Sequence, residues 1–245
     1  MILMLRIAAV VLAFLLGGGV YIPFKDDGAK QPNEPARRRP IFPLRRPILE
    51  PAEAAARGGT TSPDGKEEIQ CDLPKQFHLK NVGGTDGAGL CVWASMQHTA
   101  TWQRIPAIDG VFKYMQTQRG GGWPDRVDKV VPVMAQRNKE ASPKYIQVES
   151  RTPLEVLKLA CKTGRMPGVT YSYSPTGNYG GSYIAHMVSL VHASDNWFAI
   201  LDNNYPNQIE WMDPQTFLKV HTRNGRELGW SYTFLSDPPP PPPCN

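Results

Sequence analysis

The chain has 245 residues, with 27 Lys plus Arg against 22 Asp plus Glu, a formal charge of +5. The excess is local: residues 25–57 hold eight basic and five acidic side chains and the rest nearly balances, which excludes the basic, aromatic-bearing face that a nucleic-acid partner requires. The four cysteines, Cys71, Cys91, Cys161 and Cys244, form no Cys-x-x-Cys pair, so a zinc knuckle or thioredoxin-like centre has no support and neither a metal nor an organic cofactor is expected.

In chain order, residues 1–22 come first: Ile2 to Tyr21 is apolar apart from Arg6 and a glycine run, Gly17-Gly18-Gly19. The length is borderline for a bilayer span and Arg6 suits an inside-facing end. A signal anchor is expected, with a cleaved signal peptide as the alternative, so the chain is membrane-anchored or exported and its domain extracytoplasmic. Residues 23–70 read as a linker rich in Pro and Arg, extended and solvated, with a short helix allowed over Glu50 to Arg57. Residues 71–236 are the globular domain, long enough for one core. Residues 237–245 are a polyproline tail, solvated or docked in a partner's groove.

Within the domain, a helix is expected from Cys91 to Gln103. A second helix places Val127, Val130, Val131 and Met134 on one face, with Pro132 set to kink or divide it. Tyr145 to Glu149 reads as a short strand. Thr152-Pro153-Leu154-Glu155 reads as a helix start with Thr152 as N-cap, and that helix runs to Gly164. Strands follow at Val169 to Ser174, Met187 to Ala193, Trp197 to Asp202, Glu210 to Met212 and Trp230 to Leu235, with a hairpin turn at Ser194-Asp195-Asn196. Helices followed by strands give an α+β fold.

Cys91 is the residue with the clearest chemistry. It follows a glycine-rich approach, Gly83 to Leu90, and opens a helix, where unpaired N–H groups and the positive end of the dipole favour a thiolate. His186 opens a strand, with Asp202 and Asn203 at the end of the next. A thiol, an imidazole and a carboxylate or amide are the parts of a cysteine acyl-transfer site. Strand parity decides the third member: a two-residue turn at Asp195-Asn196 favours Asn203, and a three-residue loop favours Asp202. His98 reads as packing, and His78, His192 and His221 show no partner pattern. Tyr179 to Tyr183 reads as a loop before His186, either a substrate-side flap or a plain connection. Cys71 and Cys161 could form a disulfide in an exported chain.

Four pieces together resemble the papain-like cysteine peptidases. They are Gly89-Leu90-Cys91-Val92-Trp93-Ala94-Ser95, Gly121-Gly122-Trp123-Pro124, His186-Met187-Val188-Ser189-Leu190-Val191, and Trp197-Phe198-Ala199-Ile200-Leu201-Asp202-Asn203. The resemblance implies an N-terminal helical lobe whose nucleophile helix packs on a C-terminal antiparallel β-sheet. It implies a peptide or protein substrate, with Cys91 as nucleophile and His186 as acid and base. Sixteen residues after the histidine, where the family's orienting group lies, stands Asp202, the favoured candidate, with Asn203 beside it. The backbone of Gly121, Gly122 and Trp123 is expected to pair with substrate. The family's oxyanion glutamine is missing: its place falls on Thr85, with Asp86 next, which leaves Thr85, Asp86 and Asn81 as candidate second donors beside the Cys91 N–H. The same site would serve amidase or transglutaminase-type acyl transfer, and without the glutamine a catalytically impaired, tethered binding module is the remaining reading.

Overall fold

The strand-forming runs of the second half pair into a single sheet. The computed structural model describes residues 55–236. The expectations for 1–22, for 23–54 and for the tail from 237 lie outside the described residues. Among the described residues no helix is long and apolar enough to cross a membrane.

The fold is mixed α+β around a seven-stranded sheet of order β1-β6-β5-β4-β3-β9-β2. Its strands are β1 (Ala55–Gly58), β2 (Tyr145–Val148), β3 (Gly168–Tyr171), β4 (His186–Ala193), β5 (Phe198–Leu201), β6 (Ile209–Met212) and β9 (Ser231–Phe234), and every neighbouring pair is antiparallel. A separate two-stranded ribbon joins β7 (Thr222–Arg223) to β8 (Glu227–Leu228), and Asn224 and Gly225 take positive φ at its turn. The helices are α1 (Cys91–Gln103), α2 (Val111–Met115), α3 (Pro124–Asn138), α4 (Leu154–Lys162) and α5 (Pro214–Val220).

β4 lies at the centre of the sheet and every one of its residues is buried. Such a strand needs cover on both faces. α1 packs against it from one side and α4 from the other. On the α1 side, Trp93, Met96, Val131, Met134, Met187, Tyr232 and Phe234 share a core. On the α4 side, Leu157, Val188, Leu190, Ile200, Phe198 and Phe217 form a second. Each fully buried side chain of this size contributes about 1.5–3 kcal/mol relative to exposure.

α1 is buried on nearly all sides, from Val92 to Gln103. An amphipathic stripe is therefore missing from its sequence. Its polar residues are satisfied across the interface: Thr99 Oγ1 donates to Met166 O at 2.8 Å and Ser95 Oγ to Met187 O at 3.3 Å. α3 buries Val127, Val130, Val131 and Met134 as the spacing requires, and it continues through Pro132 as one helix.

Some expectations meet a different arrangement. Ala55–Gly58 is an edge strand on β6, inside the stretch read as linker and over the end of the short helix allowed at Glu50 to Arg57. Trp211 fixes this edge by donating its indole N–H to Gly59 O at 2.9 Å. Pro153, not Thr152, stands at the N-cap of α4, and no side chain caps that helix. Thr152 Oγ1 is instead bonded to Ser231 Oγ. α5 interrupts the strands. Asp213 caps it by accepting from the N–H groups of Gln215 and Thr216.

Candidate active site

Three element ends meet in one cleft. Cys91 is the first residue of α1, His186 the first of β4, and Asp202 lies one residue past β5. The cleft has a volume of about 630 Å³. Asn81, Gly89, Cys91, Gly121, Gly122 and Trp123 line one side, and Ile184, His186, Asn224, Glu227 and Trp230 the other.

The glycine-rich approach brings α1's N-terminus to this cleft. Gly83 bridges Gly89 across a tight turn in which Gly87 takes φ of 76°. Leu90 occupies the N-cap with no side-chain cap. The first-turn amides of α1 therefore face the cleft. Gly122 lies directly on this turn: a Cβ there would come within 2.3 Å of Val92 Cβ. The strap Gly121-Gly122-Trp123 thus continues the rim on the Cys91 side, and Trp123 stands 53% exposed upon it.

The Cys91 thiol and the His186 ring are neighbours in the cleft, close enough for each to shift the other's protonation. His186 Nε2 donates to Asp202 Oδ1 at 2.8 Å, which leaves Nδ1 for the sulfur. Burial pushes the Cys91 thiol up. The hydrogen bond and charge of His186, with backbone bonds from Met187 and Val92, outweigh it and hold the thiol below its ordinary value. Burial lowers the imidazole, but Asp202 and Cys91 together raise it to about 9. Burial likewise raises the Asp202 carboxyl, and bonds from His186, Tyr179 and the Asn204 N–H bring it below the ordinary range. These directions favour a thiolate–imidazolium pair held by a carboxylate.

Other buried histidines behave in the opposite way. Burial lowers His98 to about 3 and His221 to about 4. His98 accepts the Leu79 N–H at 2.8 Å and faces Ser189 Oγ, and His221 Nδ1 donates to Thr170 O at 2.9 Å. Both are neutral packing groups. His192 pairs with Glu67 at 2.9 Å, a partner that lies in the stretch read as linker.

The choice between Asp202 and Asn203 turns on one extra residue. Ser194 N–H donates to Trp197 O, so the turn itself has two residues, Asp195 and Asn196. That alone would set Asn203 opposite Val188, on the face of His186. The register shifts between Leu190 and His192, where Val191 is the additional residue of a bulge, so that Ser189 pairs with Leu201. The shift reverses parity and brings Asp202 to His186. Asn203 turns to the α1 face instead. Its Nδ2 lies 3.2 Å from Cys91 O, 3.0 Å from Ser95 Oγ and 2.9 Å from Met187 O, tying the start of α1 to the start of β4.

The three oxyanion candidates separate clearly. Thr85 Oγ1 donates to Gln118 O at 2.8 Å. Asp86 accepts from Ala88 N–H at 3.1 Å and Gly120 N–H at 2.6 Å, and these bonds hold its carboxyl below the usual range. Both residues fasten the glycine turn to the strap, and neither lines the cleft. Asn81 does line it. The Leu90 N–H on Asn81 Oδ1 at 2.9 Å fixes the amide's orientation, and Asn81 Nδ2 donates to Asn204 Oδ1 at 2.9 Å. One Nδ2 hydrogen remains beyond that bond.

Two site residues were not visible in the sequence. Tyr179 donates to Asp202 Oδ2 at 2.6 Å and accepts from Asn204 Nδ2 at 3.0 Å. Asn204 also gives its backbone N–H to Asp202 Oδ1 at 2.8 Å. A hydrogen-bond chain thus runs from Leu90 through Asn81, Asn204 and Tyr179 to Asp202 and His186. The available signal was the polar run Asp202-Asn203-Asn204 ending an apolar strand.

No protein-family model matches the chain, and no curated protein matches it in sequence.

Proposed function

We propose that the chain is a papain-like thiol peptidase that hydrolyses peptide bonds through an acyl-enzyme on Cys91. The observation that carries this reading is that Cys91 and His186 line one cleft side by side while Asp202, buried behind the ring, bonds His186 Nε2 at 2.8 Å. The thiolate attacks the carbonyl carbon of the scissile bond, and imidazolium His186 gives its Nδ1 proton to the leaving amine. Water then attacks the thioester with His186 as base. Asp202 stays ionised throughout and holds the ring's orientation. The Cys91 N–H and the remaining Asn81 Nδ2 hydrogen serve the oxyanion, and the backbone at Gly121-Gly122 takes the substrate strand. An N-terminal anchor or signal at 1–22 would set this domain outside the cytoplasm.

The same three residues serve one second reading, acyl transfer to an amine in place of water, because only the acyl acceptor differs. One experiment addresses both. The purified full chain is incubated with a peptide mixture, with and without a primary amine, and products are identified by mass spectrometry. A thiol-directed epoxide then marks the reactive sulfur. Hydrolysed products and label confined to Cys91, both lost in His186→Ala, support the peptidase; amine adducts support transfer. Label spread over Cys71, Cys91 and Cys161 and indifferent to His186 sinks both.

A further inference from the structure

We propose that Cys71 and Cys161 are a disulfide-forming pair that staples the entering segment of the domain to α4, separately from the reactive Cys91.

Both side chains are inaccessible, with relative exposures of 0% and 1%, and both are recorded as free thiols. They are neighbours at the end of α4: Cys71 Sγ meets the carbonyl of Arg165, the residue whose N–H bonds Ala160 O beside Cys161, and the Cys71 sulfur is close enough to help raise the Cys161 thiol. Their surroundings place this contact at a weak point of the sheet. β3 pairs with β4 only as far as Gly168 opposite Ser189. Beyond it, the Cys71 N–H takes Val191 O at 2.9 Å, and the Cys161 thiol faces Leu190 O at 3.9 Å. Cys71 Sγ also reaches Arg165 O at 3.5 Å, just past the end of α4. The two cysteines therefore flank the β4 bulge, the same irregularity that brings Asp202 to His186. Neither lines the cleft. A bond between them would close a loop from 71 to 161 that contains all of α1, including Cys91.

The chemistry requires an oxidant, which is a small-molecule or protein disulfide. One thiolate of the pair attacks that disulfide, forms a mixed disulfide and expels one thiolate. The second thiolate then attacks the mixed disulfide and expels the other. The pair loses two protons and two electrons, and the oxidant becomes two thiols. Because both sulfurs are sealed in the fold, the bond forms before the core closes. Burial and the neighbouring sulfur push the Cys161 thiol well up, whereas Cys91 is lowered. Pairing Cys71 with Cys161 removes the two sulfurs that could otherwise capture Cys91 during oxidative folding.

The test uses the full chain, unfolded in reductant and refolded in a glutathione redox buffer. Free thiols are alkylated and the protein is digested with trypsin without reduction. The expected result is a single cross-linked species joining residues 67–75 to 159–162, with Cys91 alkylated. Reduction should then lower Tm by about 5–15 °C, the range for a long closed loop in a domain of this size. The doubly substituted Cys71→Ser, Cys161→Ser chain should show no such oxidant-dependent gain. Recovery of Cys71 and Cys161 as free thiols in folded, oxidised protein overturns the proposal, as does either of them joined to Cys91 or Cys244. The map of the unsubstituted chain decides even where the substituted one fails to fold, and it is read without any activity at Cys91.

Discussion

Asp202→Asn is the sharpest perturbation of the site. Asp202 is 1% exposed and accepts from His186 at 2.8 Å, Tyr179 at 2.6 Å and Asn204 N–H at 2.8 Å. An asparagine of the same shape offers one acceptor oxygen and one donor nitrogen. Its NH2 must face either the His186 N–H or the Tyr179 hydroxyl, so an acceptor is lost in either orientation. The carboxylate's charge goes as well. His186 stands at about 9 against an ordinary 6.5. Burial opposes that rise, and Asp202 and Cys91 share it. Removing the Asp202 share should lower the imidazolium by about 1–2 pH units, or about 1.4–2.7 kcal/mol. Epoxide opening needs the thiolate as nucleophile and the imidazolium as proton donor. The rate against pH should therefore be a bell with an alkaline limb near 9 in the native chain. In Asp202→Asn that limb should move toward neutrality, with the maximal rate down by about 10²- to 10⁴-fold from loss of ring orientation. An unmoved limb and a near-native rate would refute the role given to this carboxylate.

Other outcomes follow from the same geometry. Asn203→Ala removes the tie among Cys91 O, Ser95 and Met187 O and should cost about 1–3 kcal/mol in urea unfolding. The alkaline limb of the epoxide profile should stay in place, because Asn203 does not hold the ring. Asn81→Ala should lower kcat by about 10²-fold with little change in KM, whereas Thr85→Ala should stay within about twofold of native; equal effects would dissociate Asn81 from the oxyanion. Stability should fall as pH drops through 6.5 toward about 4, because His98 and His221 are held neutral in the fold and take up protons on unfolding. At pH 5 each should cost about 2 kcal/mol relative to neutral pH. His186 works oppositely: its stabilisation is complete below 6.5 and is lost as pH rises through about 9. A Tm that is flat from pH 7 to 5 would contradict the neutral state assigned to His98 and His221.

The sequence marks Cys91 and His186 because each opens an element whose start is written locally, a glycine turn before a helix and an apolar strand after a loop. Strand parity alone leaves Asp202 and Asn203 open, and only the family's spacing favours Asp202, for a physical reason. A single extra residue, Val191, inverts the facing of everything beyond it, and no composition signal announces a bulge. β1 was hidden because its four residues, Ala55 to Gly58, gain their order from β6 more than 150 positions away. α5 carried its signal openly in Asp213-Pro214, an N-cap followed by proline, yet it is only seven residues long. Asn81, Tyr179 and Asn204 converge only in three dimensions, through a loop whose glycines Gly177, Gly180 and Gly181 adopt positive φ. Thr85 and Asp86 occupied the expected oxyanion position in the chain, but their side chains were needed to hold the strap.

The central claim is that Cys91 is ionised because His186 stands against it. Thiolate absorbance in the ultraviolet, titrated in the chain with Cys71, Cys161 and Cys244 replaced by Ser, measures this directly. The account predicts a thiolate that persists well below the ordinary thiol range and a return to that range in the His186→Ala form. Identical titrations in the two forms, both near the ordinary value, would contradict it.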